Sequence, residues 1–300
     1  MTESLASQVE AHRPRLFGLA YRMMGTASEA EDIMQEVYLR ARAVPLAQVE
    51  NAQAYLTTIA TRLSLNRLQS ASHRRETYLG PWLPEPVLTA NLPDLANPQD
   101  QTILHDSLSL AFLMLLEKLS PAERAVFLLH ELFDYSYSEI GAMLDKSDAA
   151  CRQLGRRAKQ HIAANRPRFD SDPADQERLL RGFLQVVEVG DFAGFLAMLT
   201  EDVTLVPDGG GERGAAIRVL RGPEAVAQFM LGVRKLSPGA LQAQVVSLNG
   251  HPAMLLTATS KPFVVICVYA VNGRISLIQL IAGQKLAHLQ INSPNESHSL

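Results

Sequence analysis

YSEIGAMLDKSDAACRQLGRRAK, residues 137–159, decides how this chain is read. A helix-turn-helix needs a small residue in its first helix, where the backbone of the second crosses closely. It also needs an apolar residue before the turn, a turn position tolerant of left-handed backbone, and apolar anchors beyond it. Gly141, Leu144, Asp145, Cys151 and Leu154 stand at those offsets. Asp145 takes the place usually held by glycine, and Asp is among the residues that visit the left-handed region locally. At about 100° per residue, Cys151, Leu154, Ala158 and Ile162 form an inner face. Gln153, Arg156 and Gln160 then point outward, flanked by Arg152, Arg157 and Lys159. Gln and Arg pair bidentately with adenine and guanine edges in a major groove, and flanking basic residues suit phosphates. Ser147 is the expected N-cap, which turns the helix N-terminus toward backbone anions. A four-helix packing with a solvated basic face accounts for the charge alone. It does not account for the turn spacing combined with one-sided basicity.

Charge elsewhere supports a polyanion partner. Residues 146–168 hold seven basic residues against one acid, Asp148, and residues 62–75 hold four arginines and His73 with no acid. The net charge of −3 is thus unevenly spread, and two basic patches in a slightly acidic chain point to local contact with nucleic acid.

Outward from this motif, the 300 residues divide into three blocks. Residues 1–70 read as helices. Ser28-Glu29-Ala30-Glu31 has the pattern of a capping box, and the helix after it buries Ile33, Met34, Val37 and Ala41 at a spacing near 3.6. A third helix, about 52–70, carries Tyr55, Ile59, Leu63 and Asn66 along one stripe. Residues 71–98 show no periodicity and hold prolines at 81, 84, 86, 93 and 98, together with the only tryptophan, Trp82. So apolar and stiff a connection is expected to be ordered and docked rather than solvated. Residues 99–165 return to helix, with Pro121 after Ser120 at a helix start and helices near 121–132, 137–144 and 148–163. From about 171 the pattern becomes α+β with a curved antiparallel sheet. A helix at 174–199 precedes the strand-like runs DVTLV, AAIRVL, LQAQVVSL, PAMLLTATS, FVVICVYAV and RISLIQLIA, with PEAVAQFMLGVRKL as an interrupting helix. Asn249-Gly250 and Asn272-Gly273 read as type I′ hairpin turns.

Composition narrows the class. Hydrophobic content of 47% supports real cores. Cys151 and Cys267 stand alone without zinc-ligand spacing and read as buried thiols in a reducing compartment. MTESLASQVEAHRPR lacks a signal-peptide core, and FVVICVYAV is far shorter than the ~20 residues of a membrane span. A cytoplasmic protein without membrane contact, metal or cofactor is expected.

SEAEDIMQEVYLRA, AYLTTIATRLSLNRL and LSPAERAVFLLHELFDYSYSEIGAMLDKSDAACRQLGRRAKQHI together resemble the extracytoplasmic-function sigma factors. With YLGPWLPEP at 78–86 and DGGG at 208–211, the chain is similar to the subgroup carrying a C-terminal SnoaL-like extension. The resemblance implies two all-α sigma domains, the second with the helix-turn-helix, followed by an α+β SnoaL-like domain of the cystatin/NTF2-like cone type. Its boundaries would be residues 1–75 for polymerase and −10 binding, 76–100 for an ordered Pro/Trp linker, and 101–168 for −35 binding. The regulatory domain would occupy 172–290 and a disordered tail 291–300. It implies an initiation factor that binds core RNA polymerase, through the β′ clamp and β flap, and directs it to −35/−10 promoters.

By the same resemblance, Glu31, Asp32, Gln35 and Glu36 would dock on polymerase. Arg62, Asn66, Arg67, His73, Arg74 and Arg75 would meet −10 DNA, where a positive groove with small polar readers suits an extruded base. Ser147, Arg152, Gln153, Arg156, Arg157, Lys159 and Gln160 would meet the −35 element. Asn66 and Gln69 stand where Asp and Arg are common in the family. AGQKLAHL, 282–289, replaces the family's NPDKLAHL, so only its second half, from Lys285, survives.

Relatives of the SnoaL-like fold include cyclases and hydrolases, whose chemistry needs converging acid/base groups. Asp202, Asp208, Glu212 and His251 are the available groups, and Asp208, beside three glycines, suits backbone contact better than proton transfer. The expectation is a regulator rather than an enzyme, open to control by a small-molecule or protein regulator. The interdomain regulatory residues would be Tyr78, Trp82, Leu83, Pro84, Asp208, Gly209, Gly210 and Lys285, with the Trp-Pro segment packed near the DGGG loop. A different class, a helix-turn-helix repressor or sensor fused to a SnoaL-fold enzyme, has no use for the 28–75 block.

Overall fold

The computed structural model describes residues 4–76, 80–92, 107–165, 169, 173–211, 218–236, 241–258 and 261–289. It divides into two compact units, Met1–Thr77 with Ala90–Arg166, and Tyr78–Thr89 with Pro167–Leu300.

The first unit is helical. Helix α1 (Val9–Met24) ends on Gly25, which adopts φ 74° so that its N–H can reach Tyr21 O at 2.7 Å. That leaves Thr26 extended as the N-cap of α2 (Ala27–Arg42). The helix therefore starts earlier than the Ser28 capping box predicts: Ser28 lies inside it, and Thr26 Oγ1 donates to Glu29 at 3.0 Å. Ile33, Met34, Val37 and Ala41 are buried, as their spacing requires. Helix α3 (Ala52–Glu76) departs from expectation. Its buried face holds Leu56, Thr57, Ala60, Thr61, Leu63, Ser64 and Leu68, while Tyr55 is exposed. Buried hydroxyls are tolerated because each has a partner: Thr61 and Ser64 donate to the carbonyls of Thr57 and Ala60 at 2.8 Å, and Thr57 accepts from the Tyr135 hydroxyl at 3.1 Å. Of the expected stripe only Leu63 is buried; Ile59 is half-buried, and Tyr55 and Asn66 are exposed.

Among the described residues, four further α-helices follow in this unit: α4 (Leu110–Leu116), α5 (Pro121–Glu131), α6 (Tyr137–Leu144) and α7 (Asp148–Asn165). Helices α5 and α6 begin with full capping boxes, Ser120/Glu123 and Ser136/Glu139. The buried Arg124 of α5 joins them to α1. Its guanidinium donates to Met23 O at the C-terminus of α1, where the helix dipole favours a cation, and pairs with Glu117 at 2.7 Å.

In the second unit, α8 (Pro173–Val189) and α9 (Phe192–Met198) replace the single helix expected over 174–199. Gly190 at φ 80° breaks it, and Asp191 restarts it by accepting from Gly194 N at 2.9 Å. Among the described residues the strands are β1 (Leu199–Asp208), β2 (Leu220–Arg221), β3 (Gln242–Leu248), β4 (His251–Ala258), β5 (Lys261–Val271) and β6 (Arg274–Ala282). Helix α10 (Pro223–Leu236) separates β2 from β3. Sheet order is β2-β1-β6-β5-β4-β3. The sheet is not wholly antiparallel: β1 and β6 pair in parallel, because the chain leaves β1 through β2 and α10 and returns to it only after the β3–β6 meander. Asn249-Gly250 and Asn272-Gly273 turn the hairpins with positive φ at both positions. Val264, Ile266 and Val268 of β5 join Ile278 and Leu280 of β6 in a core with Phe183 and Met230, from α8 and α10. The alternate residues Val265, Cys267 and Tyr269 are also buried, so β5 reads as a continuous apolar run rather than an alternation.

Candidate nucleic-acid interface

The tight crossing that a helix-turn-helix demands is present. A Cβ on Gly141 would lie 2.6 Å from the backbone oxygen of Lys146, closer than any side chain tolerates. Asp145 closes α6 at φ 53°, ψ 47°, and its N–H reaches Gly141 O. Ser147 Oγ accepts from Ala150 N at 3.2 Å, which caps α7. Cys151, Ala158 and Ile162 are buried and Leu154 is half-buried, with Gly155 between them. The sequence reading missed Gly155, whose lack of a side chain lets the Tyr137 ring lie against α7. Burial pushes the Cys151 thiol upward and makes it a core group.

Gln153, Arg156, Arg157 and Gln160 are exposed on the opposite side. Arg152 and Lys159 are exposed too but partly engaged: Arg152 pairs with Asp148 at 2.9 Å and Lys159 with Glu131 at 2.9 Å. The Glu131 hydrogen bond raises the Lys159 pKa. Solvent-exposed pairs of this kind are worth about 0–1 kcal/mol, so either cation can be surrendered to a phosphate.

On α3, Arg62 and Asn66 are exposed and Arg67 half-buried, while the side chains of His73, Arg74 and Arg75 lie outside the described residues. Arg62 does not point into solvent alone. Its Nε donates to Met143 O at 2.7 Å and its Nη2 pairs with Asp145 at 3.2 Å, at the end of α6. Arg67 pairs with Asp32 at 3.1 Å, and Glu31 with Arg13 at 2.5 Å. Asp32 and Gln35 are exposed, Glu31 and Glu36 partly so, and Glu36 pairs with Arg40 at 2.9 Å. Two residues on α2 escaped the sequence reading. Tyr38 and Leu39 are 47% and 57% exposed and border a groove of about 360 Å³ with Val9 and Met34. An apolar pair on the outer side of an amphipathic helix was the available signal.

In the second unit, the Trp82 segment forms a clamp. Asp208 accepts from Leu83 N at 2.6 Å and from Gly210 N at 2.9 Å. Lys285 pairs with Asp208 at 2.6 Å, donates to Leu83 O, and lies 4.3 Å from the centre of the Trp82 ring. Pro84 is buried beside them and Gly209 half-buried, while Tyr78 lies outside the described residues. The contact continues through positions not anticipated as ligands of the segment. Asn249 and Val87 exchange two bonds, Val87 N to Asn249 Oδ1 at 2.8 Å and Asn249 N to Val87 O at 2.9 Å. Leu88 bridges Leu248, and His288 Nε2 meets Pro86 O at 2.7 Å. The Asn-Gly turn was legible as a turn, but its side-chain partner lies 162 residues away.

Of the acid/base candidates, Asp208 is spent in this clamp, Asp202 is exposed, His251 is half-buried beside Gln176, and Glu212 lies outside the described residues. Among the described residues, no group of three metal-ligating side chains converges and no helix is long and apolar enough to cross a membrane.

Comparison with known proteins gives independent findings. Residues 8–74 match the Sigma-70 region 2 family and residues 109–162 the Sigma-70, region 4 family. The chain is 38% identical over 249 residues to the ECF RNA polymerase sigma factor SigJ of Mycobacterium tuberculosis, covering 82% of this chain and 78% of the relative. It is 31% identical over 273 residues to the probable ECF RNA polymerase sigma factor SigI of the same species, covering 90% of each. The crystal structure of M. tuberculosis SigJ superimposes with a TM-score of 0.73 at 30% identity, covering 94% of this chain and 98% of that one.

Proposed function

Because this chain belongs to the extracytoplasmic-function family of RNA polymerase sigma factors, with two helical sigma regions followed by a SnoaL-like domain, we propose the division of labour by which it works with core polymerase and promoter DNA. Helix α7 enters the −35 major groove, with Gln153, Arg156 and Gln160 at base edges and Ser147, Arg152, Arg157 and Lys159 along the phosphates. Arg62, Asn66, Arg67 and the 73–75 cluster meet the −10 element. Glu31, Asp32, Gln35 and Glu36, extended by Tyr38 and Leu39, dock on the β′ clamp, and the region around the helix-turn-helix docks on the β flap.

The observation that supports this reading is the close approach of the turn to Gly141, where a Cβ would meet Lys146 O at 2.6 Å, together with the exposure of Gln153, Arg156, Arg157 and Gln160 on α7. Arg62 pairs with Asp145 at the end of α6 and Arg67 with Asp32 on α2. These groups engage each other in a resting arrangement, and at about 0–1 kcal/mol per exposed pair polymerase and DNA can displace them. The Trp82 clamp supplies the control: the segment joining the two sigma regions in sequence is fastened to the SnoaL-like domain.

The test is co-purification with core polymerase followed by in vitro transcription from a −35/−10 promoter. Wild type should bind core and initiate, and Arg62→Ala should change the promoter concentration needed. Failure to bind core, together with tight binding to a palindromic duplex unaided, would instead establish a repressor.

A further inference from the structure

The SnoaL-like domain holds a half-open cavity of about 270 Å³ between α8, α10 and strands β3–β6. Phe183, Met230 and Met254 form its buried floor. Leu241 and Phe263 are only half-buried along its rim, and among the described residues every lining side chain except Glu188 is apolar. The strand backbones around it are engaged in the β3–β4, β4–β5 and β5–β6 ladders. Water needs two to four polar partners to occupy such a space, and the floor offers none. Left empty, the lining forfeits the dispersion contacts that a packed core would supply.

We propose that this cavity is a binding site for a small, mainly hydrocarbon molecule with a hydrogen-bond-donating end, such as an alcohol or amine. The volume is nearly twice the ~150 Å³ that accepts one benzene, which suits about ten to sixteen non-hydrogen atoms. Glu188, exposed at the rim, accepts from the donor end and repels a carboxylate of the same length. Asp202, Asp208 and His251 do not line the cavity, and the proposed role is one of binding. The inference stands independently of the promoter-recognition reading, since it uses neither sigma region.

The probe is 1-aminoanthracene, titrated into the full-length protein and followed by its fluorescence. Saturable one-to-one binding is expected, displaced by 1-decanol or decylamine at least tenfold more effectively than by decanoate. Displacement by decanol alone or by decylamine alone identifies which donor end the site takes. Ala243→Trp, at an exposed rim position, should weaken the probe at least tenfold with unchanged circular dichroism and melting. Val233→Trp on α10 serves the same purpose if the first variant fails to fold. Glu188→Gln should let decanoate compete nearly as well as decanol. Non-saturable binding, equal affinity in a folded rim variant, or decanoate competing equally in wild type would each overturn the proposal.

Discussion

Replacing Lys285 with methionine should release the Trp82 segment from the SnoaL-like domain. The ammonium serves three partners at once: the Asp208 carboxylate at 2.6 Å, the Leu83 carbonyl, and the face of the Trp82 ring at 4.3 Å. The Asp208 side chain is fully buried and that of Lys285 is 10% exposed, so solvent screens little of the pair. Removing one partner of a buried ion pair costs about 3–5 kcal/mol. Asp208 keeps the Leu83 and Gly210 N–H groups as donors, which places the expectation near the lower end, about 3 kcal/mol. That is a shift of roughly 100-fold in the equilibrium between docked and released segment. Trp82 is the only tryptophan in the chain, so its emission during a urea titration reports this segment directly. Lys285→Met and Asp208→Asn should each move the Trp82 transition to lower urea. The double variant Asp208→Asn/Lys285→Met, which leaves no buried charge unpaired and keeps an amide oxygen to accept from the backbone N–H groups, should recover much of the loss. A wild-type midpoint in the single variants, or a double variant showing the sum of their effects, would refute the coupled-clamp reasoning.

Arg156→Ala should cost about 1–3 kcal/mol of −35 base discrimination, whereas Arg157→Ala should weaken all sequences alike and flatten the salt slope by about one unit. Binding titrations on specific and scrambled duplexes at several salt concentrations separate the two. Gly141→Ala sets a methyl 2.6 Å from a backbone oxygen, so the melt of the helical unit should fall by about 1–3 kcal/mol and −35 affinity with it; an unchanged melt would mean that the turn yields without strain. Burial pushes the Cys267 thiol from 9.0 up to about 12. Its contribution is therefore complete below pH 9 and lost as the unfolded thiol ionises between pH 9 and 12, with a slope approaching about 1.4 kcal/mol per pH unit. Cys267→Val should remove that share of the alkaline destabilisation, measured as the difference between the two proteins' denaturation curves at pH 8 and pH 10.5.

The sequence by itself determined the helix-turn-helix, because that motif is a local contract. Gly141, Asp145, Ser147 and Cys151 lie within eleven residues, and each meets a requirement set by its near neighbours. The hairpin turns at Asn249-Gly250 and Asn272-Gly273 were legible for the same reason. The face of α3 was not: Thr57, Thr61 and Ser64 read as polar, yet they are buried with their hydroxyls satisfied within the helix or by Tyr135. Nor could spacing show that Arg62 reaches across 83 residues to Asp145. The clamp is the fullest case. Trp82 and Asp208 stood out in sequence, in a stiff apolar connection and as a glycine-flanked acid, whereas Lys285 was singled out only through the family's closing motif. The packing of the segment near the DGGG loop was expected, but only the tertiary structure shows the bonds that join Leu83 to Asp208, 125 residues on, and Asp208 to Lys285, a further 77 along, since a charge can be buried only where folding delivers its partner.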